Sequence, residues 1–271
     1  MKELNIEDVK RVQVEVLKQV DLFCRTNGIQ YFLAYGTLLG AVRHKGYIPW
    51  DDDIDIIMKR KDYESFLSEF NKSNSIMKAM HWSIDDAYPF EFAKIVDTTT
   101  SLVEDIDISY DNLGINIDCF VLDELPENKS EVQKMWKKIK RVERIVAVKR
   151  MLPNSRRKRT KGKAILTSVL KLIAKPIPIK SCMERIDSIA QACNGTAETS
   201  KVGNISQPYF GDNEILEKNW FSQSVEIEFE GCRFMAPSEM DKILTSWYGD
   251  YMQLPPIDKR VTHHRYKAYS L

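Results

Sequence analysis

The spacing of hydrophobic and polar residues predicts the order of elements in the first part of the chain. Apolar residues recur at steps of three and four from Ile6 to Phe23, which is typical of an amphipathic helix, and Asn5 and Gly28 suit its two ends. The aromatic run "IQYFLAYG" then predicts a strand, and "TLLGAVRH" predicts a short helix after it. The chain therefore begins with a helix, a strand, a turn and a second helix.

Three later apolar runs have the length of strands, at residues 53–58, 90–96 and 114–122. Residues 61–71 instead space their aromatic and leucine side chains as on one face of a helix. Because strands and helices interleave in this way, we expect an α/β or α+β fold in which helices flank a mixed sheet.

The second half of the chain is predicted to hold a helical insert followed by a hairpin. Residues 131–150 have helical spacing and become increasingly basic, and helical spacing returns at 164–175 before prolines interrupt it. The alternation in "SVEIEFEGCRFMAP" predicts a hairpin that turns at Glu230-Gly231, and residues 237–248 predict a last helix.

These patterns divide the chain into three parts. We interpret residues 1–130 as the core, residues 131–200 as a basic helical insert, and residues 201–271 as a hairpin, helix and tail that complete the core. With 271 residues, 43% of them hydrophobic, the chain can bury one substantial core together with a subdomain.

Composition excludes several classes of protein. Lys and Arg number 40 against 39 Asp and Glu, so the net charge of +1 gives no general attraction to nucleic acid, which we do not expect as a partner. The five cysteines are scattered without a C-x-x-C pair, which favours reduced thiols in the cytosol. The N-terminus is too charged for a signal peptide, and no apolar stretch approaches the roughly 20 residues of a spanning helix. We therefore expect a cytoplasmic protein, with at most peripheral contact at the inner face of the membrane.

One region departs from this neutral balance. Between residues 137 and 163 the only acid is Glu143, and the lysines and arginines include the run "RRKR" at 156–159. Because an amphipathic segment follows, this polybasic region suits an anionic membrane or a polyanionic lipid-linked acceptor. A solvated helix face and a nucleic-acid contact are the competing interpretations.

The run "GYIPWDDDIDIIM" places carboxylates directly beside apolar strand residues. In a strand, Asp53 and Asp55 share one face with their Cα atoms roughly 6.5 to 7 Å apart, a span that a divalent cation bridges. Carboxylate oxygens favour Mg²⁺, or Mn²⁺, and such ions commonly complete their coordination with substrate phosphates. Asp51 is a further candidate ligand, whereas Asp52 points the other way and is interpreted as structural. In the competing interpretation, the first three acids form a solvated turn and only Asp55 begins a strand.

Two neighbouring segments strengthen the metal interpretation. Gly36 and Thr37 stand at the predicted strand-to-helix turn, where free N–H groups bind phosphate. Asp118 lies within another apolar run, where an unpaired carboxylate would be costly. A glycine turn, a strand-borne D-x-D and a later strand-borne Asp match the layout of the nucleotidyltransferase superfamily, so the expected chemistry is phosphoryl or nucleotidyl transfer.

Basic residues near these segments are candidates for contacts with phosphate. Arg43, His44 and Lys45 lie between the short helix and the acidic run, where Arg suits bidentate phosphate binding and Lys a single charge contact. Solvated loop charge is the competing interpretation for these three. Lys94 in "FAKIVD" is a further candidate, because a lysine within a strand is awkward unless it faces a cleft. Three histidines are candidates to activate an acceptor hydroxyl: His44, His263 and His264. A surface or core role fits each of them taken alone.

The segment "YGTLLGAVRHKGYIPWDDDIDIIM" resembles the signature of the LicD family, whose bacterial members attach phosphocholine or related phospho-alcohols to cell-surface glycans and which includes the fukutin-type proteins. Three later segments resemble family blocks in the expected order: "AKIVDTTTSLVE", "GINIDCFVLDELP" and "WYGDYMQLPP". Where relatives commonly carry Ile-Asp-Ile-Phe-Pro-Leu-Asp, this chain has Cys119 and Val121 but retains the Asp.

The resemblance implies a nucleotidyltransferase-like core and a CDP-activated alcohol as donor. It implies that Asp53, Asp55 and Asp118 hold one or two Mg²⁺ ions that bridge the donor phosphates. The acceptor would be a hydroxyl of a cell-surface glycan or its lipid-linked precursor, of the teichoic acid, capsule or lipopolysaccharide type, and CMP would leave. Two alternatives stay open. One is a nucleotidyltransferase that transfers NMP to a sugar or alcohol and releases pyrophosphate, and the other is a non-catalytic protein that binds anionic glycan or membrane.

Overall fold

The structure is a computed structural model that describes residues 1–104, 110, 113–150, 168, 170, 172–196, 199–262 and 266–271. Its helices include α1 (Ile6–Asn27), α2 (Tyr35–His44), α3 (Arg60–Ser73), α4 (Lys129–Arg150), α5 (Ile179–Ala190) and α6 (Met240–Tyr248). Its strands include β1 (Lys2–Leu4), β2 (Phe32–Leu33), β3 (Asp55–Lys59), β4 (Met77–Met80), β5 (Ala93–Asp97), β6 (Thr100–Glu104), β7 (Asn116–Leu125), β8 (Lys201–Gly203), β9 (Leu216–Glu217), β10 (Ser224–Phe229), β11 (Cys232–Pro237) and β12 (Tyr266–Ser270). This interleaving of helices and strands confirms the predicted α+β fold.

A mixed sheet forms the centre of the molecule. Its strands run in the order β2-β3-β7-β5-β4, and β8 pairs with the end of β7 and carries β9 beside it. β3 and β7 are parallel, whereas β2, β5 and β8 each pair antiparallel with their neighbours. Because β3 and β7 are adjacent and parallel, residues at the same level of the two strands lie side by side.

α1 packs along this sheet, and its ends are those that the sequence predicts. The Asn5 side chain accepts a hydrogen bond from an N–H of the first turn (2.9 Å), and Gly28 follows the last turn with a φ of 65°. This left-handed conformation suits glycine because it has no Cβ. Val16, Leu17 and Val20 are fully buried. The prediction of an amphipathic first helix is therefore confirmed.

α2 begins earlier than the aromatic run predicts. β2 spans only two residues, and the helix starts at Tyr35 rather than at Thr37. The Leu38 N–H donates to the Ala34 carbonyl (2.9 Å), so the helical hydrogen bonds begin here. The residues before Gly36 are buried in the core. Their apolar pattern therefore reflects this burial and does not mean that the strand continues to Gly36.

β3 begins at Asp55, two residues later than predicted. The Asp55 N–H donates to the Thr37 hydroxyl (2.8 Å) rather than to a neighbouring strand, so Asp53 precedes the strand instead of sharing a face of it. The competing interpretation is right that only Asp55 begins the strand, but the acids before it are not a solvated turn, since Asp52 is buried and Asp51 is half-buried. β5, β7 and α6 likewise begin two or three residues later than their apolar patterns predict.

The C-terminal part adds a hairpin and a small second sheet. β10 and β11 pair antiparallel, and Glu230 and Gly231 at their turn have φ values of 50° and 70°, which confirms the predicted hairpin. β12 lies between β1 and β6 in a three-stranded antiparallel sheet that the sequence analysis did not predict. β1 is short and largely exposed, so it carries little apolar signal.

α4 and α5 pack together around a hydrophobic cluster separate from the main core. The cluster includes side chains from both helices and from the end of β7: Leu125, Val132, Trp136, Ile139 and Ile186. Arg60 at the start of α3 joins this unit to the core, because it bonds Asp123 on β7 (2.8 and 2.7 Å) and Asp187 on α5 (2.7 Å). The division of the chain at residues 130 and 200 stays a prediction. The cationic run 156–159 and much of the predicted helix 164–175 lie outside the described residues.

The cysteines act as small core or surface residues. All five have free thiols, and Cys24, Cys119 and Cys182 are buried. Burial raises the pKa of the Cys24 and Cys119 thiols, so both stay protonated. In the part of the chain that the structure describes, we find no helix long and apolar enough to cross a bilayer.

Candidate active site

Three neighbouring strands carry one row of charged side chains. In the register of the sheet, Asp118 on β7 lies opposite Asp55 on β3 and opposite Lys94 on β5. Side chains that pair across strands point to the same face of a sheet, so the three charged groups meet there. The Lys94 Nζ is 2.6 Å from Asp118 Oδ1, and both side chains are largely buried. The row thus brings together three residues that lie far apart in the sequence.

Asp51 and Asp53 join this row from the segment just before β3. Carboxylate oxygens of Asp51, Asp52 and Asp53 lie within 4.8 Å of one another. Burial raises the pKa of Asp51 to about 8, and the adjacent Asp53 carboxylate is the next cause. Acidic side chains from two segments of the chain therefore converge on one small volume.

The crowding of these acids changes the titration of Asp55. Burial raises its pKa well above the usual value for an aspartate, and the carboxylates of Asp53, Asp118 and Asp51 raise it further. The Lys94 ammonium lowers the pKa, but it does not offset these effects. The site consequently favours the arrival of further positive charge.

Asp52 belongs to the same run but also contacts the other side of the fold. Burial and the Asp52 carboxylate raise the pKa of the Tyr266 phenol on β12. The Asp52 carbonyl accepts a hydrogen bond from Gln13 Nε2 on α1 (3.1 Å). These contacts join the acidic run to α1 and to the second sheet.

The carboxylates have the chemistry of a site for Mg²⁺ or Mn²⁺. Carboxylate oxygens are the hard ligands that these ions prefer. The pKa of Asp55 is raised first by burial and then by neighbouring carboxylates, whose negative charge a divalent cation would offset. The residues predicted to hold such an ion are Asp51, Asp53, Asp55 and Asp118. The Asp52 carboxylate lies with those of Asp51 and Asp53, so it does not point away from them as predicted and could also serve as a ligand.

The first turn of α2 lies directly against the acids. A Cβ on Gly36 would lie 2.5 Å from Asp51 Oδ2, so any other residue here would displace the Asp51 carboxylate. The Thr37 hydroxyl accepts the hydrogen bond from the Asp55 N–H and is buried. Thr37 therefore positions Asp55, a role that the sequence analysis did not assign to it.

A cleft of about 500 Å³ opens beside the acids. One wall is a face of α2 formed by Gly36, Leu39 and Arg43, whose spacing of three and four residues aligns them on the helix. The opposite wall comes from the end of α6 and the loop after it: Tyr248, Tyr251, Pro255 and Pro256. Asp51 lines the same cleft, so an acid of the candidate metal site and Arg43 face one space.

Two arginines lie at this cleft and are held by fixed contacts. Arg43 Nη1 donates to the Tyr251 carbonyl (2.8 Å), and Arg260 Nε donates to the Pro255 carbonyl (2.8 Å). The Arg260 guanidinium lies 5.3 Å from the centre of the Trp50 ring, a cation–π contact. Burial lowers the pKa of Arg43, and the nearby charge of Arg260 lowers it further. The proline turn therefore brings Arg260 back over the body.

The other predicted basic residues of this segment do not line the cleft. His44 Nε2 accepts a hydrogen bond from Arg43 Nε (2.9 Å), and burial, with the charge of Arg43, lowers the His44 pKa. Lys45 follows the last turn of α2 in the left-handed conformation, and its Nζ is 3.7 Å from Glu228 on β10. The histidines at 263–264 lie outside the described residues.

A buried polar network supports the start of α2. The Tyr35 hydroxyl donates to Glu214 Oε1 (2.6 Å) and accepts from Asn204 Nδ2 (3.0 Å), and the Tyr35 ring lies 4.7 Å from that of Trp247. Tyr35 has a φ of 44°, and a non-glycine residue keeps such a conformation only where its surroundings hold it. Burial raises the pKa of Glu214 to about 7. No sequence pattern indicates this network, because its members are joined only by the tertiary fold.

The cleft's aromatic wall was also missed as a functional feature. Tyr248 lies close to the acids, since the Asp55 and Asp51 carboxylates add to the rise in its pKa that burial causes. The segment "WYGDYMQLPP" indicates that these residues resemble a family block, but the sequence does not show where they lie relative to Asp55. That position depends on the packing of α6 against α2.

The chain is similar to proteins of one family. The family model described as LicD/FKTN/FKRP, nucleotidyltransferase domain matches residues 28–158. A lipopolysaccharide cholinephosphotransferase LicD from Haemophilus influenzae is 29% identical over 280 aligned residues, which span all of both chains. An uncharacterized protein of Rickettsia typhi is 36% identical over 76 residues, 27% of this chain and 25% of that one. An uncharacterized protein of Rickettsia prowazekii is 40% identical over 68 residues, 22% of this chain and 26% of that one.

Proposed function

The chain belongs to the LicD family, and from this premise we propose that it transfers phosphocholine or a related phospho-alcohol from a CDP-activated donor to an acceptor hydroxyl. The acceptor is a cell-surface glycan or its lipid-linked precursor, and CMP is released. The relative from Haemophilus influenzae is named as a lipopolysaccharide cholinephosphotransferase, which supports phosphocholine as the group transferred and a glycan as the acceptor.

The observation that carries the proposal is the distribution of charge around the cleft. Asp51 lines the cleft next to the other acids, while Arg43 lines it farther along α2 and Arg260 lies close to Arg43. A diphosphate suits this arrangement, because a metal ion on the acids would bind some phosphate oxygens and the arginines would bind others.

Mg²⁺ is the cofactor of the proposed reaction, and Asp51, Asp53, Asp55 and Asp118 are the residues that would hold it. When bound, the ion would neutralise charge on the diphosphate of the donor. Thr37 fixes the backbone of Asp55, so the chain sets the position of this ligand before any ion arrives. The carboxylate chemistry also suits Mn²⁺.

The other groups of the cleft suit the nucleotide half of the donor. The guanidinium groups of Arg43 and Arg260 are planar and can bind phosphate oxygens bidentately. Tyr248 and Tyr251 line the same cleft, and tyrosine rings stack on nucleobases. At about 500 Å³, the cleft is within the usual size range of small-molecule sites.

We place the acceptor reaction at an anionic membrane surface. α4 exposes cationic side chains opposite its buried stripe: Lys134, Lys137, Lys138, Arg141 and Arg144. Leu172 and Ile173 are 72% and 65% exposed. They lie near the end of α4, because Lys149 Nζ donates to the Ala174 carbonyl (3.0 Å). A cationic helix beside exposed apolar side chains is typical of peripheral binding to anionic lipids.

A screen of activated alcohols tests the donor. We expect Mg²⁺-dependent thermal stabilisation by at least one of CDP-choline, CDP-ribitol, CDP-glycerol and CDP-ethanolamine, because a ligand that binds only the folded state raises its stability. Choline and CMP alone serve as controls. The donor part of the proposal fails if no CDP-alcohol stabilises the protein more than CMP does.

Analysis of the products separates the proposed reaction from nucleotidyl transfer, which the description of the family model keeps as the second candidate. The proposed reaction releases CMP from the CDP-alcohol. A nucleotidyltransferase would instead release pyrophosphate from CTP when a sugar or alcohol is supplied. Pyrophosphate without CMP would establish the second candidate and exclude the first.

Sedimentation with vesicles tests the membrane contact. The triple variant Lys137→Gln, Lys138→Gln and Arg141→Gln should bind phosphatidylserine vesicles roughly 100-fold more weakly, since each cation near an anionic surface contributes about 1 kcal/mol. The matched control neutralises three exposed lysines elsewhere: Lys18→Gln, Lys61→Gln and Lys242→Gln. Equal binding by the two triple variants would contradict the role of α4.

A further inference from the structure

We infer that Tyr209 selects a donor whose alcohol ends in a quaternary ammonium group, such as the trimethylammonium of choline. This inference rests on the proposed function, because it takes a CDP-activated alcohol as the donor. It assigns a place to the alcohol half of that donor, whereas the cleft beside Arg43 suits the nucleotide half.

An aromatic row borders the charged row on the same face of the sheet. Phe120 stands two residues after Asp118 on β7, and side chains of a strand return to the same face every second residue. Phe92, just before β5, packs on Phe120 with ring centres 4.6 Å apart, so it extends this row. Both rings are buried. They form an aromatic floor next to the acids.

Tyr209 is the exposed member of this aromatic group. Its ring centre lies 5.8 Å from that of Phe120 and 5.3 Å from that of Tyr35, in edge-to-face contacts. Phe120 is 1% exposed, whereas Tyr209, in the loop after β8, is 57% exposed. The two buried rings therefore fix an aromatic side chain that remains open to solvent.

Negative charge lies close to the Tyr209 ring. Its phenol has a raised pKa because protein atoms surround it on several sides, and the Asp55 and Asp118 carboxylates raise the pKa further. Tyr209 is not among the described residues that line the cleft, whereas Asp51 is. The acids thus border two different surfaces, the cleft and the ring of Tyr209.

An aromatic ring beside surplus carboxylates suits a quaternary ammonium group. Such a group is positively charged, and it is attracted both to the face of an aromatic ring and to nearby negative charge. The chain itself contains one contact of this kind, since the Lys94 Nζ lies 5.4 Å from the centre of the Phe92 ring. A neutral alcohol such as glycerol gains neither attraction.

Tyr209 is accordingly a specificity-determining residue for the proposed reaction. A donor with its nucleotide in the cleft and its diphosphate at the acids would have only its alcohol left to bind elsewhere. Metal ion and arginines contact the part that all CDP-alcohols share, so they do not distinguish one alcohol from another. The ring of Tyr209 would distinguish them by their charge.

Titration calorimetry with CDP-choline and CDP-glycerol, in the presence of Mg²⁺, tests the inference. The wild type should bind CDP-choline more tightly. Tyr209→Leu should weaken binding of CDP-choline by roughly 5- to 30-fold, as expected for a lost cation–π contact, and change the affinity for CDP-glycerol by less than about twofold. Tyr209→Phe keeps the ring and removes the hydroxyl that donates to Gln207 Oε1 (2.7 Å), so it should bind CDP-choline as the wild type does.

The matched comparison is Tyr251→Leu. Tyr251 lines the cleft proposed for the nucleotide, so its loss should weaken binding of both donors to a similar extent. Circular dichroism establishes that each variant is folded, which we expect for Tyr209→Leu because this side chain is largely exposed.

The outcomes separate the inference from the proposed function. Equal losses for the two donors in Tyr209→Leu would overturn the inference. An undiminished preference of this variant for CDP-choline would also overturn it, since the acids alone would then select the cation. The same holds if Tyr209→Phe loses as much affinity as Tyr209→Leu, because the hydroxyl would then be responsible. A wild type that prefers CDP-glycerol would overturn the inference and leave the proposed transfer intact. Binding of neither donor more tightly than CMP would overturn both.

Discussion

β7 carries two buried acids, Asp118 and Asp123, that differ in how their charge is compensated. Asp123 is fully buried, and both of its oxygens receive hydrogen bonds: Oδ1 from Arg60 (2.8 Å) and Asn194 (2.6 Å), and Oδ2 from Arg60 (2.7 Å). Asp118 bonds Lys94 and faces Asp55, and the pKa of Asp55 is raised by burial and then by the neighbouring carboxylates. The first acid belongs to a closed structural network, and the second belongs to a group with surplus negative charge.

This difference shows which kind of burial indicates function. The odd separation of the two residues places them on opposite faces of the sheet. On one face, Asp123 joins α3 to α5 through Arg60. On the other, Asp118 borders the group that opens into the cleft. Both acids are largely buried, so burial alone does not distinguish their roles. The balance of charge around each acid does distinguish them.

The largest expected difference is in catalysis. Asp55→Asn should reduce turnover more than 100-fold, because in the proposed site it removes a direct ligand of the metal. Loss of an outer-shell partner of such a ligand alone costs up to roughly 100-fold. Its metal-free form should be at least as stable as the wild type, since a repulsion is removed. Turnover is measured at saturating Mg²⁺, and unfolding is measured in urea. Near-normal turnover would exclude Asp55 as a ligand.

For Asp123 in the closed network, we expect a loss of stability instead of a loss of turnover. Asp123→Ala should lower the free energy of unfolding by about 3 to 5 kcal/mol, because it leaves the Arg60 guanidinium buried without its main partner. Asp187→Ala should cost less, since Arg60 then keeps Asp123. Urea unfolding followed by circular dichroism measures both. Unchanged stability of Asp123→Ala, together with loss of Mn²⁺ binding, would reverse the roles assigned to the two acids.

The arginines of the cleft are expected to have an intermediate effect. Arg43→Ala should weaken binding of the CDP-alcohol by roughly 10- to 100-fold, because a hydrogen bond to a charged group contributes about 1.5 to 3 kcal/mol. Lys45→Ala, just after the same helix and outside the cleft, is the matched control. Titration calorimetry measures both affinities. Similar losses in the two variants would mean that general charge, and not the cleft, attracts the donor.

The smallest expected effect is on the pH dependence of stability. The pKa of Asp51 is raised from 3.8 to about 8, so the stability linked to its proton is complete below about pH 4 and is lost as the pH rises through about 8. The melting temperature of the metal-free protein should therefore fall between pH 5 and pH 9. Asp51→Asn should reduce this slope without abolishing it, because the raised pKa of Glu214 acts in the same direction. A melting temperature that rises over this range would contradict the crowding of acids.

The sequence predicted the acids of the site better than their surroundings. Asp55 and Asp118 could be named because a carboxylate within an apolar run is a local signal. Their pairing with Lys94 could not be predicted, because it depends on the register of three strands. Asp123 stands in the same apolar run as Asp118, and its different role depends on Arg60, which lies 63 residues earlier in the chain. The fold class followed from periodicity. The start of β3 did not, because it depends on the bond of the Asp55 N–H to the Thr37 hydroxyl of another element.

The stacking of Arg260 on Trp50 gives the cleft an optical signal of its own. Indole emission responds to a charge at the ring face, and the Arg260 guanidinium lies 5.3 Å from this ring. A diphosphate that draws the guanidinium away would change the emission of Trp50, so occupancy could be followed in unlabelled protein. Trp50→Phe provides the baseline against the other four tryptophans of the chain, which has five in all. Stopped-flow fluorescence could then time the entry of the donor separately from the chemical step.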